Sequence, residues 1–280
     1  MDESIKKIAL LGMGTVGGGV YEILAKQKPN MPAKIGCTLE VAKVLVRNKA
    51  KYADKVPADQ LTDQWSDVIN DDSISIVVEV MGGIEPARTY IREALSKGKH
   101  VVTANKDLMA THGHELLEIA REHQCDLLFE AAVAGGIPII RPMKQCLLGN
   151  DITEVMGIIN GTTNFILTKM AEDGMEFDDA LKLATDLGYA EADPTADIEG
   201  YDAGRKLAIM ASIAFHSSVT FDDVYTEGIS KITAKDIRYA HELGYEIKLL
   251  GLAKLTPEGI EVKVHPTMIP ASFGSSEGFL

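Results

Sequence analysis

The sequence predicts an α/β protein in which a doubly wound parallel sheet precedes an α+β domain. Over the first 134 of the 280 residues, short apolar runs alternate with helical patterns. The runs are apolar throughout, which is typical of parallel strands that helices cover on both faces. The alternation ends near Gly135, so we expect one domain over residues 1–134 and a second over residues 135–280.

The first half contains five predicted strands. They cover residues 8–11, 39–46, 75–80, 100–104 and 127–133. Helical patterns lie between them at residues 16–26, at residues 85–96 and around residues 115–123. Pro86 occupies a helix-start position, and Gly98 lies just past the end of the same helix, as helix boundaries prefer.

The second half mixes helices with an antiparallel pair of strands. Helices are predicted at residues 138–147, 163–171, 178–187, 201–216 and 234–243, and a strand at residues 153–159. The segments 246–254 and 260–265 alternate in polarity on either side of a Thr-Pro-Glu-Gly turn, which indicates a hairpin.

The composition excludes several classes of partner. The formal net charge is −13, which argues against nucleic acid or an anionic membrane because both repel acidic proteins. No apolar stretch approaches the ~20 residues that span a bilayer, and the N-terminus carries no export signal. Cys37, Cys125 and Cys146 form no CxxC pair, so we expect reduced core thiols in a cytoplasmic protein.

A glycine-rich loop follows the first strand. Gly12, Gly14 and Gly17 form a GxGxxG pattern at the start of a helix, so the backbone N–H groups around Thr15 and Val16 can face a pyrophosphate. Gly12 allows a tight turn, Gly14 lets phosphate approach, and Gly17 permits close packing of helix and strand. The alternative is a structural turn, but the position after a strand favours a Rossmann-like dinucleotide site.

The residue after the second strand indicates which nucleotide binds. An acidic residue there would bind the ribose 2′-OH of NAD, but this chain has Arg47, followed by Asn48 and Lys49. A cation suits a 2′-phosphate through charge-assisted hydrogen bonds. NADP is therefore favoured over NAD, and a solvated basic loop is the alternative.

Thr103 and Lys106 follow the fourth predicted strand, at the edge where open α/β sheets bind ligands. A cation there can bind a substrate carboxylate or polarise a carbonyl. An ordinary surface lysine is the alternative.

An acidic segment in the second half carries a second candidate lysine. Asp202 and Lys206 are spaced i,i+4 and share a helix face, ahead of an almost wholly apolar run. A buried lysine paired with a carboxylate can donate a proton to a nascent alkoxide. The alternative is a surface ion pair. Glu191, Asp193 and Asp197 add negative charge, as a substrate ammonium requires.

Several long motifs together resemble homoserine dehydrogenase over residues 8–266. They are GMGTVGGGV at 12–20, TANK at 103–106, EAAVAGGIPII at 130–140, NGTTNFIL at 160–167 and GYAEADPTADIEGYDAGRK at 188–206. The resemblance implies the reversible NAD(P)H-dependent reduction of L-aspartate 4-semialdehyde to L-homoserine, a step towards threonine, methionine and isoleucine. It also implies a homodimer formed through the sheet of the second domain.

The resemblance implies roles for individual residues. Lys206 would donate the proton to the aldehyde oxygen, Asp202 would orient it, and Lys106 would lie beside substrate and nicotinamide. The remaining contacts would be made to substrate by Glu191, Asp197 and Thr162, and to the cofactor by Thr103 and Gly188.

A cation site is also implied. Glu130, Val133, Gly135 and Ile137 match a segment through which the family binds a monovalent cation, often sodium, mainly by backbone carbonyls. The alternative is a tight strand-to-helix turn.

The chain departs from the family pattern after Pro266. Residues 271–280 do not match it, and we expect the return segment of the nucleotide domain and any regulatory domain to be missing. A catalytically impaired nucleotide-binding module is therefore one alternative function. Another is a different small-substrate amino-acid dehydrogenase, against which the segment 191–206 argues.

Overall fold

The protein divides into two compact units. The computed structural model describes residues 4–274, with the first unit ending at Pro138 and the second beginning at Ile139. The boundary predicted between residues 134 and 135 lies just before this division. Residues 275–280, part of the tail predicted to depart from the family pattern, lie outside the described residues.

The first unit is built on a six-stranded sheet in the order β3-β2-β1-β4-β5-β6. Its strands are β1 (Ile5–Leu11), β2 (Thr38–Leu45), β3 (Leu61–Thr62), β4 (Ile74–Glu79), β5 (His100–Thr103) and β6 (Leu127–Leu128). Its helices are α1 (Thr15–Gln27), α2 (Met31–Ile35), α3 (Ser66–Ile69), α4 (Ala87–Ser96) and α5 (Lys106–Glu122). Every neighbouring pair of strands is parallel, which confirms the predicted doubly wound fold.

The central strand β1 explains why its sequence is apolar without alternation. Ile8, Ala9, Leu10 and Leu11 are all buried, with at most 3% of each residue exposed. Because successive side chains point to opposite faces of a sheet, four consecutive buried residues require that both faces be covered. The strand order reverses between β1 and β4, and doubly wound sheets bind ligands at that point, beyond the carboxyl ends of the strands.

Three predictions for the first unit need correction. The strand predicted at 127–133 ends at Leu128, because Phe129 leaves the extended region (ψ 35°) and Glu130–Ala132 form a 3₁₀ turn. Strand β3 was not predicted, because two residues are too short to produce a pattern. Helix α4 begins at Ala87 rather than at residue 85, with Pro86 as its N-cap.

The second unit is built on a four-stranded mixed sheet in the order β7-β9-β10-β8. Its strands are β7 (Glu154–Gly157), β8 (Tyr225–Thr226), β9 (Tyr245–Thr256) and β10 (Gly259–Pro270). Its helices are α6 (Gly161–Glu172), α7 (Phe177–Asp186), α8 (Thr195–Ile198), α9 (Tyr201–Ala214), α10 (Ala234–Glu242) and α11 (Ala271–Gly274). Strands β9 and β10 pair antiparallel along their whole length, which confirms the predicted hairpin.

The helix predicted at residues 138–147 is shorter and irregular. Pro142–Cys146 forms a π-helical turn, in which the Leu147 N–H donates to the Pro142 carbonyl at 3.0 Å. Pro142 lies at the start of this turn, where proline is tolerated because its missing N–H would have no helical partner, so the proline does not account for the π pattern. The strand predicted at 153–159 is likewise shorter, since β7 covers only four residues.

None of the helices within residues 4–274 combines the length and the apolar character needed to cross a bilayer.

Candidate active site

The glycine loop joins the carboxyl end of β1 to helix α1. Gly12 has φ +98°, and its N–H donates to the Leu45 carbonyl at 3.0 Å. A Cβ on Gly12 would lie 2.9 Å from the Val80 carbonyl oxygen, and a Cβ on Gly17 would lie 2.2 Å from the Gly12 oxygen. Both positions therefore require glycine for steric reasons, as the sequence predicted for a tight turn and for close packing.

Gly14 differs from the other two glycines because the space beside it is open. It is the N-cap of α1, it is exposed together with Thr15 and Val16, and an added Cβ would meet nothing within 4 Å. The first N–H groups of an α-helix have no acceptor inside the helix. The start of α1 therefore presents exposed donors and the positive end of a helix dipole, which suits an anion.

Arg47 lies two residues beyond β2, beside the glycine loop. Strand β2 pairs with β1, so the carboxyl ends of both strands meet at one edge of the sheet. Arg47 is exposed, whereas Lys49 forms an ion pair with Asp63 at 3.4 Å. Arg47 is thus an exposed cation at this edge, while Lys49, which is also half exposed, is paired with Asp63.

A buried carboxylate fixes the end of β4 beside the end of β5. Glu79 is fully buried, and its Oε2 accepts the Thr103 hydroxyl at 2.7 Å. Its Oε1 accepts the Met81 N–H at 2.8 Å, while the Thr103 hydroxyl accepts the Asn105 N–H at 3.0 Å. The Thr103 side chain therefore serves this network. Sequence reasoning missed Glu79, whose only signal is a charge inside an apolar run.

Lys106 is the first residue of helix α5. Asn105 caps this helix, because its Oδ1 accepts the Leu108 N–H at 3.1 Å. The Asn105 Nδ2 also donates to the Gly83 carbonyl at 2.7 Å. Lys106 is half-buried and starts α5 right after β5, at the edge of the sheet where the sequence located it.

The second unit contains the predicted lysine–carboxylate pair. The Lys206 Nζ lies 2.6 Å from the Asp202 Oδ2, and the two side chains are 20% and 8% exposed. The same Nζ donates to the Ile159 carbonyl at 3.1 Å. Helix α9 buries most of its residues, so this is an enclosed pair on one helix face and not a surface ion pair.

Asn160 connects this pair to a second acid. It is buried, and its Nδ2 donates to the Asp202 Oδ2 at 2.8 Å and to the Asp197 Oδ1 at 2.6 Å. Its Oδ1 accepts the Thr163 N–H at 2.9 Å and so caps helix α6. Sequence reasoning assigned no role to Asn160, although an asparagine just before a helix is a recognisable cap.

The other acids of the predicted cluster lie apart from this network. Glu191 is exposed. The Asp193 Oδ1 accepts the Thr195 N–H at 3.1 Å, and hydrogen bonds from Thr195 hold the pKa of Asp193 below its ordinary value. Within residues 4–274, the hydrogen bonds thus join Asp197 alone of these three acids to the Asp202–Lys206 pair.

Thr162 and Gly188 lie together at the start of α6 and the end of α7. The Thr162 hydroxyl donates to the Tyr189 carbonyl at 2.7 Å, and the Tyr189 ring stacks on Phe165 at 4.7 Å. Gly188 follows helix α7 with φ +78°, a conformation that favours glycine at a helix C-terminus. These contacts fix the loop that leads towards Glu191.

The predicted cation segment is irregular backbone. After the 3₁₀ turn that starts at Glu130, Val133 is extended, and both Ala134 and Gly135 have positive φ, at 58° and 57°. Ile137 is 57% exposed. Within the described residues, no group of three or more His, Cys, Asp or Glu side chains is arranged to hold a metal ion, so a cation here would need backbone carbonyls.

Comparisons with known proteins cover both units. Residues 12–130 match the family model described as homoserine dehydrogenase, NAD binding domain, and residues 138–274 match the model described as homoserine dehydrogenase. The crystal structure of S. aureus homoserine dehydrogenase at pH 6.0 is 43% identical, with a TM-score of 0.85 over 96% of this chain and 68% of that chain. The chain belongs to the homoserine dehydrogenase family.

Other members of the family are similarly close. The homoserine dehydrogenase of Bacillus subtilis is 48% identical over 265 residues, which are 94% of this chain and 61% of that protein. The crystal structure of a homoserine dehydrogenase from Thiobacillus denitrificans is 49% identical, with a TM-score of 0.91 over 96% of this chain and 62% of that chain. This chain therefore spans about three fifths of the length of the curated relatives that it matches.

A more distant relative was solved with a nucleotide. A hyperthermophilic archaeal homoserine dehydrogenase in complex with NADPH is 26% identical, with a TM-score of 0.80 over 95% of this chain and 83% of that chain. Because the matches to the homoserine dehydrogenase family include the second unit, they do not favour the alternative of a different amino-acid dehydrogenase.

Proposed function

We propose that this chain catalyses the reversible reduction of L-aspartate 4-semialdehyde to L-homoserine with NADPH, a step towards threonine, methionine and isoleucine. The observation that carries the proposal is the enclosed contact of 2.6 Å between the Lys206 Nζ and the Asp202 Oδ2. An ammonium held in this way is a proton donor in a partly dehydrated setting, which is the group that a carbonyl reduction requires.

The chemistry divides between cofactor and protein. Bound NADPH supplies a hydride to the aldehyde carbon. Lys206 releases a proton to the carbonyl oxygen as charge develops there, so that the new O–H bond completes the alcohol. Asp202 keeps the lysine oriented and lowers the cost of burying its charge, because an isolated buried ammonium is strongly disfavoured. In the reverse direction, Lys206 accepts the same proton.

The remaining polar residues are proposed to hold the substrate. Asp197, with Glu191, supplies negative charge for the substrate ammonium, and Thr162 approaches the substrate from the start of α6. Lys106 supplies a cation for the carboxylate or the carbonyl. Asp197 is supported most directly, since Asn160 joins it to the Asp202–Lys206 pair.

NADP is the proposed cofactor, with NAD as a weaker ligand. The open space beside Gly14 and the exposed N–H groups that follow it fit a pyrophosphate. The exposed guanidinium of Arg47 suits a 2′-phosphate, and the NADPH complex of the archaeal relative is consistent with this choice. Thr103 and Gly188 are proposed to line the cofactor site through their backbone, because the Thr103 hydroxyl is engaged with Glu79.

A monovalent cation, sodium in our proposal, would bind the segment that contains Glu130, Val133, Gly135 and Ile137. Two consecutive residues with positive φ turn the chain there, and its carbonyls lie outside any strand ladder or α-helix. Carbonyl oxygens suit a hard cation, so the donor set fits.

We also propose a cytoplasmic homodimer that forms through the sheet of the second unit. Met156 on β7 is 50% exposed, and its cross-strand neighbour Leu252 on β9 is half-buried, which leaves apolar surface on one face of the sheet available for a partner. Cys37 and Cys125 are only half-buried and Cys146 is exposed, so they are not the core thiols that the sequence predicted, but all three are free thiols, which fits a reducing compartment. Light scattering coupled to size-exclusion chromatography tests the dimer, and a monomer at micromolar concentration would contradict it.

The decisive assay follows NADPH oxidation at 340 nm with purified chain and aspartate semialdehyde. Turnover should depend on the semialdehyde and should be negligible with an aldehyde that lacks the amino and carboxyl groups. Equal turnover with both aldehydes would contradict the proposed substrate. Binding of NADPH without any turnover would favour the impaired nucleotide-binding module.

A further inference from the structure

We infer that Asn160 is a positioning residue for the proton donor, a role that rests on the proposed function. One amide group, the Asn160 Nδ2, reaches both Asp197 and Asp202, at 2.6 Å and 2.8 Å. The Asp202 oxygen that accepts this amide is Oδ2, the same atom that Lys206 contacts at 2.6 Å. The asparagine, the two acids and the lysine therefore form one continuous hydrogen-bonded chain.

The Asn160 amide lies between two carboxylates whose negative charges repel each other. Asp197 and Asp202 each place a carboxylate oxygen within 2.8 Å of the same nitrogen, and like charges held so close repel each other. The Nδ2 has two N–H groups, so it can donate one to each carboxylate. Without these donors, the repulsion would push Asp202 away from Asp197, and this movement would loosen its contact with Lys206.

The loop that carries Asn160 also contacts the lysine directly. The carbonyl of Ile159, the preceding residue, accepts the Lys206 Nζ at 3.1 Å. The loop is itself fixed, because the Asn160 Oδ1 accepts both the N–H and the hydroxyl of Thr163, at 2.9 Å and 3.0 Å. One short segment therefore sets the position of both members of the pair, and helix α6 anchors that segment.

Two substitutions separate this role from helix capping. Asn160→Ser and Asn160→Asp keep a side-chain oxygen that can cap α6, because Ser and Asp are about as good as Asn at an N-cap. Both lose the amide donors, and Asn160→Asp adds a third negative charge. Thr233→Ala is the matched control, since it removes the cap of α10 and leaves the Asp202–Lys206 pair untouched.

We expect the Asn160 substitutions to lower kcat while they leave the KM for NADPH nearly unchanged. The kcat for the semialdehyde should fall ~10- to 100-fold in both Asn160 variants, because a misplacement of about 1 Å costs on the order of 100-fold. The KM for NADPH should stay within about twofold, because the glycine loop is unchanged. Thr233→Ala should lower the melting temperature without changing kcat.

A spectroscopic measurement keeps the test independent of turnover. In protein labelled with ¹³C- and ¹⁵N-lysine, the side-chain signal of Lys206 is identified by its disappearance in Lys206→Arg. We expect this signal to move in Asn160→Ser and in Asn160→Asp and to stay in place in Thr233→Ala. If Asn160→Ser does not fold, the Lys206 side-chain signal is compared between the wild type and Asn160→Asp instead.

The two proposals fail in different ways. A wild-type chain without turnover contradicts the proposed function, and the Lys206 signal still decides the role of Asn160. A Lys206 signal that is identical in the wild type and in the folded Asn160 variants overturns the inference, whatever the turnover. A signal that moves in those variants while it stays fixed in Thr233→Ala supports it.

Discussion

At the scale of single residues, the most informative feature is an ion pair kept largely out of water. Burying a lysine and an aspartate costs several kcal/mol per ion before their attraction is counted, so such a pair is weak evidence for stability. Lys206 and Asp202 nevertheless occupy one face of a largely buried helix. The proposed catalytic role of Lys206 would explain why the pair is buried despite this cost.

Replacing the lysine tests this role. Lys206→Ala should lower kcat by ~10²- to 10⁴-fold, the usual loss when a general acid is removed. NADPH affinity, measured by calorimetry, should not change. Lys206→Arg is the control, because it keeps the charge beside Asp202 but does not release a proton at neutral pH. Near-normal kcat in either variant would assign Lys206 to structure alone.

Arg47 carries the prediction about cofactor choice. Arg47→Asp should lose a charge-assisted contact with the 2′-phosphate, worth roughly 1.5–3 kcal/mol, and should bind NAD in preference to NADP. Lys49→Ala is the matched control. Lys49 already pairs with Asp63, so this substitution should leave the preference for NADP over NAD unchanged. The dissociation constants of NAD and NADP for the wild type and both variants test this prediction. Tenfold tighter binding of NAD than of NADP by the wild type would contradict the role proposed for Arg47.

The sequence predicted local geometry where spacing or composition carries the information. The i,i+4 spacing of Asp202 and Lys206 and the apolar run beside them predicted the enclosed pair. Glu79 and Asn160 were missed because their partners are distant in the chain, 24 residues away for Thr103 and 42 for Asp202. No local pattern reports a contact of that kind.

At the scale of elements, the start of α1 contains two glycines, Gly14 at its N-cap and Gly17 in its first turn, with different steric requirements. Gly17→Ala should destabilise the first unit by about 1–3 kcal/mol or more, because its Cβ would lie 2.2 Å from a carbonyl oxygen. Gly14→Ala has open space, so stability should fall less, by about 0.5–1 kcal/mol because alanine is a poorer N-cap, while NADPH binding weakens. Urea unfolding and calorimetry on both variants test this, and equal stabilities would contradict it.

The N-terminus of α10 carries a prediction about pH. The pKa of Asp236 is held below its ordinary value of 3.8, mainly by a hydrogen bond from the Thr233 hydroxyl and secondly by one from the Thr233 backbone N–H. A carboxyl group with a lowered pKa in the folded state stabilises the protein above the ordinary value and loses that effect as the pH falls through the folded value.

Asp236→Asn should therefore be less stable than the wild type at pH 7. The difference should shrink as the pH falls below 3.8. Urea unfolding of both proteins between pH 7 and pH 3 measures the difference in their free energies of unfolding. A constant difference across that range would mean that the charge of Asp236 contributes nothing to stability.

Elements with a regular pattern were predicted well, and irregular ones were not. The buried strands β1, β2 and β4 and the long helices follow from apolar periodicity. The run Phe129–Val133 has the apolar content of a strand, but its backbone turns at Phe129, a choice set by tertiary context and not by composition. The π turn at Pro142–Cys146 has the same kind of cause.

At the scale of the molecule, all six strands of the parallel sheet come from the first 128 residues. No described strand of the second unit enters that sheet. A fragment of residues 1–138 should therefore fold and bind NADPH without turnover, because a domain with its own core can fold alone. Calorimetry on the fragment, with its Gly17→Ala form as control, tests this, and an unfolded fragment would contradict it.

The sheet of the second unit is not equally wide along its hairpin. At Gly251 and Val264 it is four strands wide, since Gly157 pairs on one side and Thr226 on the other. At Tyr245 and Pro270 only the two hairpin strands pair. Opening costs least where few neighbours are lost, so we expect the hairpin to open first at the end opposite its turn. We expect the backbone amides near Gly251 to be the last of this sheet to exchange their protons with solvent, which hydrogen exchange would measure.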